Sequence, residues 1–127
     1  MVTGRRPLSW VPDRQEVIWI AFNPQIGREM RDRHPLLVLS PQAFNARTSL
    51  VIGLPMTTAD YNSDNPFAVV AGKAGGVRSG KISYVLCHQP KSLDWRLRDA
   101  APHPLRRIAD EPFAEVRALL GQLLDLT

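Results

Sequence analysis

The apolar residues of this chain come in short runs, each closed by a breaker. VIWIAF (Val17–Phe22) stops at Asn23-Pro24, LLVLS (Leu36–Ser40) at Pro41, and LVIGL (Leu50–Leu54) at Pro55. Proline lacks a backbone donor and clashes with the preceding helical turn, so none of these runs can lengthen into a helix. Their β-branched and aromatic content suits a buried strand. Phe67–Ala71 and Lys81–Cys87 read as a fourth and a fifth strand, with Ile82, Tyr84 and Leu86 on one face at period two. Leu93, Trp95 and Leu97 alternate in the same way and allow a short sixth strand.

Between the runs lie turn formers. Ser40–Asn45 (SPQAFN) predicts a single helical turn, with Ser40 as its cap and Pro41 in the first helical position. Asp60–Pro66 (DYNSDNP) is a loop, Gly72–Lys81 (GKAGGVRSGK) is a hairpin connection or mobile loop, and Asp99–Pro104 breaks structure again. Connections of this length exclude helical crossovers and leave antiparallel neighbours. Only the tail has helical spacing: Phe113, Val116, Leu120, Leu123 and Leu124 share a face, Asp110 is a candidate N-cap, and Pro112 falls in the first turn. The expected fold is mainly β with a C-terminal α-helix, a small antiparallel barrel-like sheet. At 127 residues and 44% apolar, it fits one domain with one core, residues 1–15 forming a flexible lead-in.

One cysteine, Cys87, excludes an intrachain disulfide. No apolar run approaches the ~20 residues of a membrane helix. The opening MVTGRRPLSW has no apolar core of the signal-peptide kind, so a cytoplasmic protein is expected. Sixteen Lys and Arg against twelve Asp and Glu leave a net charge of +4, which permits a polyanionic partner.

Familiar catalytic signatures are missing. The sequence has no Cys/His spacing for zinc, no GK[ST] phosphate loop, no GxSxG elbow and no dinucleotide fingerprint, so neither a metal nor a cofactor is expected. The chemistry-bearing residues stand instead at strand ends. The loop Gly27–Pro35 (GREMRDRHP) carries Arg28, Glu29, Arg31, Arg33 and His34; the third strand leads to Thr57 and Thr58; the fifth leads to His88, Gln89 and Lys91. If neighbouring strands bring these ends together, one cleft holds a carboxylate, several cations, two hydroxyls and two imidazoles.

That set suits cleavage of a phosphodiester carrying its own nucleophile, as RNA does in its 2′-hydroxyl. Glu or His can take the proton, His or another cation can protonate the leaving oxygen, and Arg can clamp the phosphate. Blander readings compete: arginine-rich loops are usually solvated, Thr57 and Thr58 can simply tie off a strand, and His88 can be structural. Tyr61 and Trp95 can stack on bases or pack in the core.

Taken in order, VPDRQEVIWIAFNPQIGRE, HPLLVLSPQAFN, LPMTTADYNSDNPFAV and QPKSLDWR resemble the MazF/PemK (Kid) family of bacterial toxins, over about Val11 to Leu126. The resemblance implies a small dimeric barrel with a C-terminal helix, paired with an acidic antitoxin. It also implies metal-independent cutting of single-stranded RNA to a 2′,3′-cyclic phosphate, with inhibition of translation and growth. Glu29 matches the glutamate of the family's G-x-E motif, Thr57 the threonine at the third strand's exit, and Gln89 the glutamine before P-[KR]-[ST]. By this analogy Glu29 and Thr57 flank the scissile phosphate.

The pattern departs at two places. The family reads G-x-E-x-x-x-x-R-P; here His34 takes the arginine's place and Arg33 precedes it, as if the two were transposed. PemK-like members carry an aspartate before the glutamine where this chain has His88, and an arginine where it has Leu86. The expected catalytic set is therefore Glu29, Arg33, His34, Thr57 and His88, with Arg33 or His34 supplying the cation or proton and Glu29 or His88 the base. Arg28, Arg31, Thr58, Gln89 and Lys91 are expected to bind RNA. The alternatives are a CcdB-like toxin that acts by protein contact, against which Glu29 argues, and a degenerate member that only binds antitoxin.

Overall fold

The computed structural model describes residues 9–22, 33–73 and 81–126. The strands are β1 (Glu16–Ala21), β2 (Arg33–Val38), β3 (Leu50–Thr57), β4 (Ala68–Lys73), β5 (Ile82–Leu86), β6 (Lys91–Asp94) and β7 (Ala101–Arg107). The α-helices are α1 (Gln42–Thr48) and α2 (Asp110–Leu124), and Asp60–Asp64 forms a 3-10 turn. The strands make one antiparallel sheet in the order β4-β5-β3-β2-β1-β7.

β3 organises the sheet. One of its edges pairs with β2, while the other pairs with β6 over Leu50–Gly53 and with β5 over Met56–Thr57. Two strands laid end to end along one edge curl the sheet into a half-barrel, as the sequence pattern predicts. Gly53 stands at the changeover. A Cβ there would lie 2.5 Å from the Leu37 carbonyl oxygen and 2.8 Å from a Leu36 methyl, so only glycine lets β2 approach this closely.

Both faces of the sheet's centre are buried. Val17, Leu37, Leu54, Met56, Val85 and Cys87 pack beneath Phe113, Val116 and Leu120 of α2. Ile18, Ile20, Leu36, Val38, Val51, Leu93 and Trp95 form a second cluster on the other side, with Trp10, Val11 and Phe22 against it. This explains why the first strands read as unbroken apolar runs. Each fully buried Ile or Leu contributes about 1.5–3 kcal/mol of burial free energy.

Several expectations need correction. β2 begins at Arg33, so the last three residues of the predicted polar loop are strand. β5 ends at Leu86, one residue short of the expected Cys87; Val85 on the strand and Cys87 just past it reach the helix-side core, and on the Ile82, Tyr84 and Leu86 face Ile82 is exposed while Tyr84 is buried. β6 ends at Asp94, which leaves Leu97 exposed in a turn. Ala101–Pro104, part of the predicted break Asp99–Pro104, belongs to strand β7 despite Pro102 and Pro104; among the described residues β7 pairs only with β1, and an edge position tolerates the missing donors.

Helix α1 has two turns rather than one, with Pro41 at the cap position. Ser40 instead hydrogen-bonds the buried Asn45, whose amide donates to the Pro12 and Ser40 carbonyls at 2.8 and 3.0 Å. Ala109, not Asp110, occupies the cap of α2, and Asp110 accepts a hydrogen bond from Gln15 at 2.7 Å. The buried row of α2 stops at Leu120 and Gly121, leaving Leu123 and Leu124 exposed. Val11–Gln15, read as the end of a lead-in, is tied into the fold through Pro12, Gln15 and the Val38 carbonyl.

Candidate active site

The ladder itself decides which side chains can meet. Leu36↔Pro55, Leu37↔Leu54 and Val38↔Gly53 pair across β2 and β3; the ladder stops at Leu36, and His34 and Thr57 each stand two residues beyond its last pair, on the face of Leu36 and Pro55. Thr57 pairs with Tyr84, and His34 with Ile20. Paired residues share a face and successive residues alternate. Ile20, Leu36 and Val38 belong to the second core, so His34 and Thr57 stand on that side. Arg33, paired with Ala21, stands on the opposite side.

At the margin of the second core, two chain segments converge on Phe22. The ring of His34 lies 4.9 Å from the Phe22 ring with an interplanar angle of 31°. The Lys91 ammonium lies 5.3 Å from the same ring's centroid, within cation–π range. Lys91 reaches this point because β6 pairs it with Gly53 on the face that buries Leu93. His34 is exposed and Lys91 half-buried, so an imidazole and an ammonium both reach solvent beside one aromatic platform.

Thr57 Oγ1 accepts the Ala59 N–H at 3.2 Å. The hydroxyl thus ties off the strand, yet its own proton stays available to a ligand oxygen. Thr58 is half-buried beside it. His88 and Gln89 occupy the turn from β5 to β6. Their Nε2 atoms lie 3.4 Å apart, and the His88 ring sits 5.5 Å from Phe67. No hydrogen bond or ring contact among the described residues joins His88 to His34. Arg28, Glu29 and Arg31 lie outside the described residues.

Arg33 is held differently from the loop arginines expected to be solvated. Its guanidinium donates to the Asp99 carboxylate, and its side chain is only 13% exposed. The neighbouring Arg98 spans back to β1: its guanidinium donates to the carbonyls of Ala21 and Phe22, and its own carbonyl accepts the Ala21 N–H at 3.1 Å. Asp99 and Arg98 carry no local sequence signal, because their partners lie at least 66 residues away along the chain. Phe22, expected in the first strand, lies just past its end at Ala21, and only the fold shows what its ring supports.

The two aromatic candidates divide. Trp95 is core: it is buried, and its indole N–H donates to the Asn45 carbonyl at 2.9 Å. Tyr61 is exposed and available for contact. His103, on β7, is buried against Trp19 with ring centroids 4.4 Å apart. Burial lowers its pKa to about 4, so near neutral pH it is an uncharged acceptor for the Leu105 N–H. Burial likewise raises the Cys87 thiol to about 11, which makes it a core residue and not a nucleophile.

Residues 13–124 match a family described as PemK-like, MazF-like toxin of type II toxin–antitoxin system. The chain is 35% identical over 118 residues to the endoribonuclease toxin MazF of Escherichia coli (strain K12), covering 88% of this chain and 96% of that one. It is 30% identical over 114 residues to the endoribonuclease PemK of Escherichia coli, covering 87% and 78%. Among solved structures, a MazE–MazF crystal structure from Deinococcus radiodurans superposes with a TM-score of 0.74 at 35% identity, over 91% of this chain and 97% of that one. The chain belongs to the PemK-like, MazF-like family of type II toxins.

Proposed function

We infer that this protein is the toxin of a type II toxin–antitoxin pair, an endoribonuclease that cuts single-stranded messenger RNA and so halts translation and growth. The observation that carries this reading is the match, along most of both chains, to a named endoribonuclease toxin. Its partners are RNA, a second copy of itself and a cognate acidic antitoxin. The complex of MazE with the Deinococcus relative supports the antitoxin. Among the described residues no helix is long and apolar enough to cross a membrane. We place the protein's work in the cytoplasm, where its substrate is.

The reaction proposed needs no group from outside the chain. The RNA 2′-oxygen attacks the adjacent phosphorus while its proton passes to a base. The bond from phosphorus to the 5′-oxygen breaks, and that oxygen takes a proton from an acid. The products are a 2′,3′-cyclic phosphate and a 5′-hydroxyl. We assign the base to Glu29, with His88 as the other candidate. We assign the proton or positive charge at the phosphate to His34, because strand alternation favours His34 over Arg33 for the face of Thr57. Thr57 donates its hydroxyl to a phosphate oxygen. Arg28, Arg31, Thr58, Gln89 and Lys91 hold the RNA backbone and bases.

Expression tests the reading. Wild-type protein is expected to arrest growth with loss of intact messenger RNA, and co-expression of its cognate antitoxin to restore growth. Glu29→Ala is expected to abolish the arrest. Trapped DNA breaks with intact RNA would instead establish a CcdB-like mode of action.

A further inference from the structure

We propose that Asp99 is a positioning residue for this site: by holding Arg33 on one face of β2, it commits His34 to the other, the face of Thr57, where it lies beside Phe22. The proposal rests on the ribonuclease reading above. Arg33 and His34 are adjacent at the start of a strand, so they point to opposite faces, and a slip of one residue would exchange them.

The body of β2 is fixed by Leu36, Leu37 and Val38, which alternate between the two cores. Its first residues have less to hold them. The pairing with β3 stops at Leu36, and at Arg33 only β1 remains as a ladder neighbour. The Arg98-Asp99 turn supplies the missing restraint. Asp99 takes the Arg33 guanidinium, and Arg98 takes the backbone of Ala21 and Phe22. One dipeptide therefore holds the last residues of β1 and the first of β2, the two strand ends that carry Phe22 and His34.

The turn is itself set for this. Asp99 adopts a left-handed backbone at φ 57°, a conformation that Asp and Asn accept at low cost. A carboxylate already neutralises Arg33, so Arg33 serves as a tether. The charge at the phosphate falls to His34 and Lys91. This gives the exchanged order of arginine and histidine a physical reason: the arginine has been turned to the structural face and given its own anion.

The test uses Asp99→Asn, which keeps the shape and the backbone preference while removing the charge. With a short single-stranded RNA, Asp99→Asn is expected to lower kcat about tenfold and to move KM less than about twofold, well below the melting temperature of either protein. Arg33→Ala should do the same, and the double variant should be no worse than either single one. Arg33→Lys should restore most of kcat when Asp99 is present and none in the Asp99→Asn background.

Unchanged or raised kcat in Asp99→Asn would overturn the proposal, since it would mean that the carboxylate competes with phosphate for Arg33. Multiplicative losses in the double variant would overturn it too. A readout independent of cutting is the ring-current shift of the His34 imidazole protons over Phe22. It should collapse in Asp99→Asn, and its persistence would contradict the proposal even if the wild type proved inactive on RNA.

Discussion

The His34 imidazole stacks on the Phe22 ring at 4.9 Å, and the Lys91 ammonium lies 5.3 Å from that ring's centroid. Two groups able to carry positive charge are thus oriented by one apolar side chain. Aromatic contact and cation–π attraction together are worth about 1–2 kcal/mol. Phe22→Leu, which keeps the burial and loses the ring, should lower kcat/KM for RNA about 5- to 30-fold. His34→Ala should cost more, about a hundredfold or greater in kcat, as expected for loss of a group acting in the transition state. Steady-state cleavage of a fluorogenic single-stranded RNA measures both.

Lys91 offers a different signature. As a backbone contact it should contribute to affinity and not to chemistry. Lys91→Met is expected to weaken RNA binding several-fold and to reduce the slope of log affinity against log salt by about 0.7. Binding titrations with a non-cleavable RNA analogue at several salt concentrations check this, and an unchanged slope would remove Lys91 from the RNA path.

Gly53 is where β2, β3 and β6 crowd together. A methyl group at this position meets the Leu37 carbonyl at 2.5 Å, and backbone cannot step aside as a side chain can. Gly53→Ala should destabilise the fold by about 1–3 kcal/mol, seen as a lower denaturation midpoint. Because the same displacement shifts Lys91, RNA affinity should fall as well.

The sequence carries the architecture well and the site only in part. Val17–Ala21 announces a strand because it is buried on both faces, Leu50–Leu54 because Val51 and Leu54 reach the two cores although Ile52 is exposed, and Phe113, Val116 and Leu120 announce the packed face of α2. β7 was illegible because Pro102 and Pro104 look like breakers until the strand is known to lie on an edge. Arg33 and His34 looked like equal candidates in a loop. Their separation onto two faces follows from β2 starting at Arg33, and that depends on distant partners in β1 and in the turn at Asp99.

His103 gives the fold a pH dependence. Its folded pKa is lowered to about 4 by burial, against 6.5 when exposed. The unfolded chain therefore binds a proton below pH 6.5 that the folded protein refuses until about pH 4. The stabilisation is full above pH 6.5 and is lost as pH falls through this window, at no more than about 1.4 kcal/mol per pH unit. His103→Gln should flatten the stability curve between pH 6.5 and 4 relative to wild type, as measured by urea denaturation at a series of pH values. An identical slope in the two proteins would show that the ring does not resist protonation.

The most direct test of the central claim is to incubate the purified, antitoxin-free protein with single-stranded RNA in EDTA and to identify the new ends. The proposed reaction predicts cutting at a short sequence, with 5′-hydroxyl and 2′,3′-cyclic phosphate termini and no cutting by Glu29→Ala. RNA left intact by folded wild-type protein across varied substrates, or fragments with 5′-phosphate ends, would contradict it.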